Sequence, residues 1–194
     1  MQAFVGDGKI SGGGFRRGEG ACQGGPVDGG ARVRDDEVAA ELAQPGAREL
    51  LERAPMSRLA YNGSDGFPRV IPIGFFFDGE AVVVCTAVTS PKVRALAERP
   101  EVALTIDVGD TPADARSLLL RGTATLETVD GIPPEYLAAS AKVLTEHELA
   151  EFERNVRGMY DQMVRISVVP AWARYFDFGA GRLPGFLRDL AARS

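Results

Sequence analysis

The chain passes from a strand to a helix within one segment, Val82-Val83-Val84-Cys85-Thr86-Ala87-Val88-Thr89-Ser90-Pro91-Lys92-Val93-Arg94-Ala95-Leu96. Its β-branched, apolar beginning is typical of a buried strand, and the hydroxyl-rich residues after it indicate a short loop. Ser90 suits the N-cap of the helix, and Pro91 suits its first position, where a missing N–H group is not needed. Lys92 follows in the first turn, although the helix dipole disfavours a cation there.

The unfavourable position of Lys92 has two explanations, and the segment alone does not choose between them. A helix N-terminus with free N–H groups, the hydroxyls of Thr86, Thr89 and Ser90, and a lysine is typical of a phosphate-binding site. The alternative is an ordinary surface lysine on a capped helix. A residue that breaks a local rule often serves a site, so the other residues of the chain have to decide between the two.

The composition is that of a globular protein with one domain. The chain has 194 residues, of which 45% are hydrophobic and 25% charged, and this is enough for a sizeable core. The net charge of −5 argues against nucleic-acid binding, which requires a basic face. Two cysteines make no disulfide framework, and no apolar run approaches the roughly 18 residues of a membrane span. We therefore expect reduced thiols, no membrane association and a cytoplasmic location.

The sequence divides into a tail and a domain. Residues 1–34 hold 11 of the 23 glycines and show almost no apolar periodicity. Such a segment buries too little surface to offset its chain entropy. We predict a disordered, glycine-rich tail over 1–34 and a single domain over 35–194, with a helical insert over 133–162.

Periodicity and turn signals place helices at both ends of the domain and strands between them. Helices are predicted from Asp35 or Asp36 to Arg53 with an interruption at 44–46, and over 90–98, 133–162 and 183–192. Strands are predicted over 58–62, 68–77, 81–86, 101–108, 117–127, 163–169 and 171–178. Many short strands at close spacing indicate a barrel or a sandwich, and the long helices make the class α+β.

The usual catalytic and metal-binding motifs are missing from the sequence. No strand is followed by the glycine fingerprint of dinucleotide-binding proteins, and no P-loop occurs. His147 is the only histidine, so His147-Glu148-Leu149-Ala150-Glu151 resembles a zinc-protease motif only superficially. We predict no metal site, and the catalytic residues stay unknown. If the chain is an enzyme, a cofactor supplies its chemistry, which favours the phosphate-site explanation for Lys92.

Two neighbouring segments together resemble a known family. Arg69-Val70-Ile71-Pro72-Ile73-Gly74-Phe75 comes before an Asp-Gly turn, and Thr86-Ala87-Val88-Thr89-Ser90-Pro91-Lys92 follows that turn. With the segments 95–104 and 119–124 in the same order, the pattern resembles the pyridoxamine 5′-phosphate oxidase-like, FMN-binding split-barrel superfamily over roughly Leu59 to Phe178. The resemblance implies a six- to seven-stranded antiparallel split β-barrel with a helical insert and flanking helices. It also implies a homodimer with the flavin in a groove between subunits.

The cofactor contacts of that family fall on matching positions of this sequence. The residues that the resemblance implies are Arg69, Val70, Ile71, Pro72, Ile73, Thr86, Ser90, Lys92, Trp172 and Arg174. By resemblance, the first five line the phosphate and the isoalloxazine ring, and the next three hold the phosphate. The last two reach the cofactor from the partner subunit. The ring is also expected to lie against an apolar wall of Ile71, Ile73, Phe75 and Val84.

The sequence also departs from the oxidase that gives the family its name. Pro91 stands where that enzyme tends to have an arginine before the phosphate lysine, and Gly74 stands where it has a lysine. The substrate-binding arginine and histidine pattern near the C-terminus is not visible here. These differences argue against oxidation of pyridoxamine phosphate itself.

Three functions therefore stand as hypotheses. The first is a flavin-dependent oxidoreductase that transfers a hydride between FMN and an unidentified small molecule. The second is a reductase that uses the deazaflavin coenzyme F-420, whose acidic tail would need a basic groove formed by Arg58, Lys92, Arg94 and Arg99. The third is a dimeric protein that carries flavin or haem without catalysis.

Overall fold

The structure is a computed structural model that describes residues 30–193. Within this range the chain forms six helices and seven strands. In chain order they are α1 (Gly30–Leu42), α2 (Pro45–Arg53), β1 (Ser57–Asn62), β2 (Pro68–Ile73), β3 (Phe76–Phe77), β4 (Val82–Ala87), α3 (Pro91–Glu98), β5 (Glu101–Val108), β6 (Arg116–Asp130), α4 (Pro134–Ser140), α5 (Glu146–Met159), β7 (Gln162–Asp177) and α6 (Gly185–Ala191). The predicted tail lies outside the described residues up to residue 29. The first helix begins at Gly30 rather than at Asp35 or Asp36.

The strands form one antiparallel sheet in the order β2-β1-β5-β6-β7-β4-β3. β2 and β3 lie at opposite ends of this order, although only Gly74 and Phe75 separate them in the chain. The two edges of the sheet are therefore linked by two residues, although no pairing joins them within residues 30–193, and the sheet curves into the predicted split barrel of α+β class. The single strand predicted over 68–77 is wrong, because the chain leaves one edge, buries Phe75 fully in the core and joins the other edge.

β6 and β7 form the longest pair of strands in the sheet, and α4 and α5 connect them. The strands predicted over 163–169 and 171–178 are one strand, β7, whose register against β6 shifts between Arg121 and Gly122. Pro170 has no backbone N–H, and the ladder accommodates it with a bulge instead of a break. Gly122 is required opposite this bulge, because an added Cβ atom would lie 2.5 Å from the Val169 carbonyl oxygen.

The barrel interior is the main hydrophobic core. Buried and less buried residues alternate along β1 and β5, so every second side chain points inward. Among the largest fully buried side chains are Leu59, Leu104, Ile106, Leu118, Leu120 and Ile166. The predicted interruption at 44–46 separates α1 from α2, because Pro45 begins a new helix whose Leu50 and Leu51 join the core. None of the described helices is long and apolar enough to cross a membrane.

The helical insert covers the outer face of β4 and β7. Val82 and Val84 face the barrel interior, whereas Val83 and Cys85 face a second cluster formed with the insert. Both faces of β4 are thus buried, which explains its continuous apolar sequence. The insert predicted over 133–162 corresponds to α4 and α5, and a capping box at Thr145 begins α5.

Candidate functional site

The strand-to-helix segment brings three of the predicted residues into contact. Thr86 lies near the end of β4, and the turn that follows places Ser90 at the N-cap of α3. The Lys92 side chain folds back over this turn, and its Nζ donates to Thr86 Oγ1 at 2.9 Å and to Ser90 Oγ at 2.8 Å. We call these three residues, Thr86, Ser90 and Lys92, the cradle.

Lys92 is partly buried without a counter-charge. Burial lowers the pKa of its ammonium below the usual value, and no carboxylate opposes this shift. Within residues 30–193 the Lys92 side chain has only the two hydroxyl oxygens as partners. Removing a charge from water without an opposite charge is costly, so an anion beside Lys92 would supply the missing compensation.

The N-terminus of α3 strengthens this preference for an anion. Ser90 occupies the N-cap, but its side chain makes no hydrogen bond to a backbone N–H group of the helix. Ser90 is the N-cap residue as predicted, but its hydroxyl oxygen accepts from Lys92 and not from the helix backbone. The first turn of α3 is left without a side-chain acceptor, and the helix dipole adds positive potential at this end.

A groove of about 570 Å³ opens beside the cradle. Its lining residues are Ser64, Asp65, Arg69, Val88, Thr89, Ser90, Pro91, Val93, Arg94 and Ala97. We call it the α3 groove. Arg69 Nη2 lies 2.9 Å from Asp65 Oδ2, and Arg94 Nε donates to Ser64 Oγ at 3.4 Å. The structure thus brings Arg69, a predicted cofactor residue, to the same groove as Ser90 of the cradle.

β2 has backbone groups without a strand partner on one side within the described residues. It is the terminal strand of the sheet order and pairs only with β1, so one row of its backbone N–H and C=O groups has no strand partner. Val70 and Pro72 are exposed, whereas Ile71 and Ile73 pack against the core. The predicted apolar wall is wrong for Phe75 and Val84, because both side chains are fully buried inside the barrel.

Trp172 and Arg174 lie outside the cradle in the single chain. The Arg121 guanidinium stacks over the Trp172 ring at 4.0 Å from its centre. Arg174 forms ion pairs with Glu37 at 3.8 Å and with Glu41 at 3.7 Å, both on α1. The contribution of these two residues from a partner subunit stays a prediction.

The basic groove proposed for an acidic cofactor tail is only partly assembled. Arg94 lines the α3 groove, but Arg99 Nη1 donates to the Gly63 carbonyl oxygen at 2.8 Å. Arg58 forms an ion pair with Asp107. Two of the predicted arginines are therefore engaged by the protein itself.

The structure also identifies residues near the site that the sequence analysis did not single out. Gly63 and Asp65 lie under and beside the Arg69 guanidinium. Their sequence signal was the turn Gly63-Ser64-Asp65-Gly66, which indicates a turn but not its proximity to α3. His147 is 84% exposed and lies near Glu151 on α5, as expected for a surface histidine.

Comparison with known proteins agrees with this fold. A family model for pyridoxamine 5′-phosphate oxidase matches residues 45–172. No curated protein matches the chain.

Several solved structures have a similar fold. A conserved hypothetical protein from Mycobacterium tuberculosis has a TM-score of 0.54 and 22% identity, and the match covers 81% of this chain and 90% of that one. An F-420 reductase has a TM-score of 0.51 and 28% identity, with 68% and 98% covered. The haem storage protein HutZ from Vibrio cholerae has a TM-score of 0.50 and 17% identity, with 67% and 92% covered. Because the family model spans more than half of the chain, this chain belongs to the pyridoxamine 5′-phosphate oxidase family, which has a flavin-binding fold.

Proposed function

We propose that this protein is an oxidoreductase that binds FMN and transfers a hydride between FMN and a small molecule. One observation carries the proposal: among the described residues, only hydroxyl oxygens are bonded to the partly buried Lys92 ammonium, which lies beside a helix N-terminus whose N-cap side chain makes no cap hydrogen bond. The flavin-binding fold of the family makes a cofactor phosphate the anion that suits this position.

The donor set of the cradle fits a phosphate group. A lysine ammonium has three N–H donors, and Thr86 and Ser90 accept two of them. The third N–H and the two hydroxyl hydrogens can be donated to phosphate oxygens as short, charge-assisted hydrogen bonds. The cradle contains no carboxylate that would repel a group with nearly two negative charges. Asp65 is the one carboxylate among the residues that line the α3 groove, and Arg69 neutralises it.

The free edge of β2 suits the polar side of a flavin ring. The backbone row over residues 70–73 that faces away from β1 presents carbonyl acceptors, and N–H donors except at Pro72, which has no N–H. The flavin ring supplies the redox chemistry when it is bound, and the residues of this chain bind and orient it.

A second copy of the chain is proposed to complete the site. Trp172 and the two arginines around it form an aromatic and basic patch on the sheet, and Val70 is 63% exposed on β2. Aromatic residues and arginine are enriched at protein interfaces. Trp172 and Arg174 can contribute to cofactor binding only if the partner subunit places its own β7 beside this cradle.

The deazaflavin coenzyme F-420 is the second candidate cofactor. The F-420 reductase with 28% identity supports it, and so does Arg94, which lines the groove next to the cradle. Against it, Asp65 already neutralises Arg69, and Arg99 and Arg58 are engaged elsewhere. An acidic tail would therefore meet little unpaired positive charge in the α3 groove, whereas the single phosphate of FMN can be held by the cradle.

A haem-carrying function has less support from the residues. The likeness to HutZ, at 17% identity, concerns the fold. The only histidine of the chain, His147, is exposed on α5, and it does not line the α3 groove. The described residues thus bring no histidine ligand for haem iron to this site.

The decisive test is the identity of the bound cofactor. We expect the untreated, purified protein to show a flavin absorbance spectrum, and heating to release a compound with the mass of FMN. Parallel fluorescence titrations of the cofactor-free protein with FMN and with F-420 then rank the two candidates. Tight binding of F-420 alone would replace the first candidate by the second, and no binding of either would refute the proposed function.

A further inference from the structure

We propose that Gly63 is a positioning residue for Arg69. Because Gly63 has no side chain, the Arg69 guanidinium can lie over it and face the α3 groove. Gly63 directly follows β1 and opens the turn to β2. The inference rests on the proposed function, because it concerns the cofactor site only if Arg69 contacts the cofactor.

The side chains of Asp65 and Arg69 fold back over Gly63. Arg69 Nη2 donates to Asp65 Oδ2 at 2.9 Å, and the Phe67 N–H donates to Asp65 Oδ1 at 3.2 Å. The carboxylate is thus fixed by the backbone, and it fixes one side of the guanidinium. The guanidinium also contacts the Tyr61 hydroxyl, and its remaining N–H donors are available to the groove that Arg69 lines.

A side chain at position 63 would occupy the same space. A Cβ atom there would lie 2.6 Å from both Arg69 Nε and Asp65 Oδ1, and 2.9 Å from Arg69 Cζ. These separations are far below van der Waals contact, so the guanidinium and the carboxylate would both have to move. The three clashing atoms belong to the far ends of flexible side chains, whereas the backbone nearby is not among them.

The turn is also anchored to the helix that carries the cradle. The Gly63 carbonyl oxygen accepts from Arg99 Nη1 at 2.8 Å, and Arg99 is the C-cap residue of α3. One helix therefore carries Lys92 near its N-terminus and holds Gly63 at its C-terminus. Because the turn is fixed at this point, we expect the Arg69 side chain, and not the turn, to move when residue 63 is enlarged.

Gly63→Ala separates positioning from folding. Gly63 does not have a positive φ, so alanine is compatible with its backbone conformation. The Asp65–Arg69 pair is exposed and contributes little to stability. We expect Gly63→Ala to leave Tm unchanged and to weaken FMN binding about tenfold, which corresponds to one charge-assisted hydrogen bond.

The experiment is a double-variant cycle on the full chain, with Kd for FMN measured by flavin fluorescence, or for F-420 if it binds more tightly. The variants are Gly63→Ala, Arg69→Ala and the two combined, with Gly158→Ala as a matched control because a Cβ there meets open space. We expect similar losses in the two single variants and no added loss in the combined one. The inference fails if Gly63→Ala weakens FMN binding as much in the Arg69→Ala background as in the wild type. It also fails if Gly63→Ala lowers both Tm and FMN binding in the wild-type background, because the glycine then acts through the fold.

The outcomes also separate this inference from the proposed function. If Arg69→Ala weakens binding and Gly63→Ala does not, the positioning role is wrong and the proposed function stands. If neither cofactor binds the wild-type protein, or if Arg69→Ala has no effect on binding, Arg69 is not a cofactor residue and the inference fails with that assignment.

Discussion

Two cation-centred clusters lie on opposite faces of β4, and they differ in how the positive charge is compensated. On the insert side, Arg165 Nε lies 2.7 Å from Glu135 Oε1, and Arg165 Nη2 lies 3.5 Å from Asp78 Oδ2. The hydrogen bond that Arg165 donates to Glu135 raises the pKa of Arg165, whereas burial lowers the pKa of Lys92 in the cradle. One cation is paired with carboxylates inside the chain, and the other is held by hydroxyl oxygens alone.

The difference separates a structural cation from a binding cation. Arg165 joins β7 to α4 and to the turn between β3 and β4, so its ion pairs hold the insert on the barrel. Among the described residues, Lys92 Nζ bonds only to the hydroxyls of Thr86 and Ser90, and its charge is left for an external partner. Variants on the insert side should therefore change stability, and variants in the cradle should change cofactor binding.

Lys92→Ala should produce the largest effect. Loss of a desolvated charged partner costs roughly 2–5 kcal/mol of binding free energy. That corresponds to an increase of about 30-fold or more in the Kd for FMN. Tm of the cofactor-free protein should not fall, because the variant removes a partly buried charge that has no counter-charge. Fluorescence titration and thermal unfolding of the same preparation measure both quantities.

Lys142→Ala is the matched control for this variant. Lys142 is also partly buried, but its Nζ donates to the carbonyl oxygens of Leu51 at 3.0 Å and Ala54 at 3.3 Å, at the end of α2. It also lies 3.6 Å from the centre of the Phe75 ring. We expect its removal to lower Tm, because two carbonyl oxygens at the end of α2 and the Phe75 ring lose their partner, and to leave the Kd unchanged. Equal losses of flavin affinity in the Lys92→Ala and Lys142→Ala variants would show that Lys92 is not a specific binding cation.

Glu135→Ala should have the next largest effect, on stability. The Arg165 side chain is only 24% exposed, and this variant removes its closest carboxylate. Such a loss lowers the free energy of unfolding by about 1–3 kcal/mol. In a chain of this size Tm falls by about 2–4 °C for each kcal/mol. Glu153→Ala is the control, because it breaks an exposed pair with Arg157 and should change Tm little. A weakened Kd for FMN in Glu135→Ala, with Tm unchanged, would reverse the roles of the two clusters.

Local signals were sufficient to predict most of the cradle. Strand, turn and helix signals follow one another between Val82 and Leu96, and the structure has these elements in that order. The contact among Thr86, Ser90 and Lys92 needs no distant residue, which is why the sequence could indicate it. Ser90 is the N-cap residue as the pattern predicted, but a nearby ammonium competes with the backbone N–H groups for its hydroxyl oxygen.

The features that the sequence could not indicate depend on distant strands. The division of 68–77 into β2 and β3 follows from closure of the sheet, which buries Phe75. The bulge that keeps β7 continuous depends on Gly122 of the neighbouring strand. The position of Gly63 and Asp65 beside α3 depends on the anchor from Arg99, and a turn motif carries no information about that contact.

The pH dependence of cofactor binding should give the smallest effect, and it tests the protonation state of Lys92. Burial lowers the pKa of Lys92 in the free protein, and a bound phosphate favours the ammonium form, so binding is linked to proton uptake. The affinity for FMN should therefore begin to fall before the pH reaches the ordinary lysine pKa of about 10.4, while the phosphate stays doubly charged because its second pKa is about 6. Lys92→Arg keeps its charge up to this pH, so its Kd should stay constant. Parallel slopes for the wild type and Lys92→Arg would place the titrating group outside the cradle.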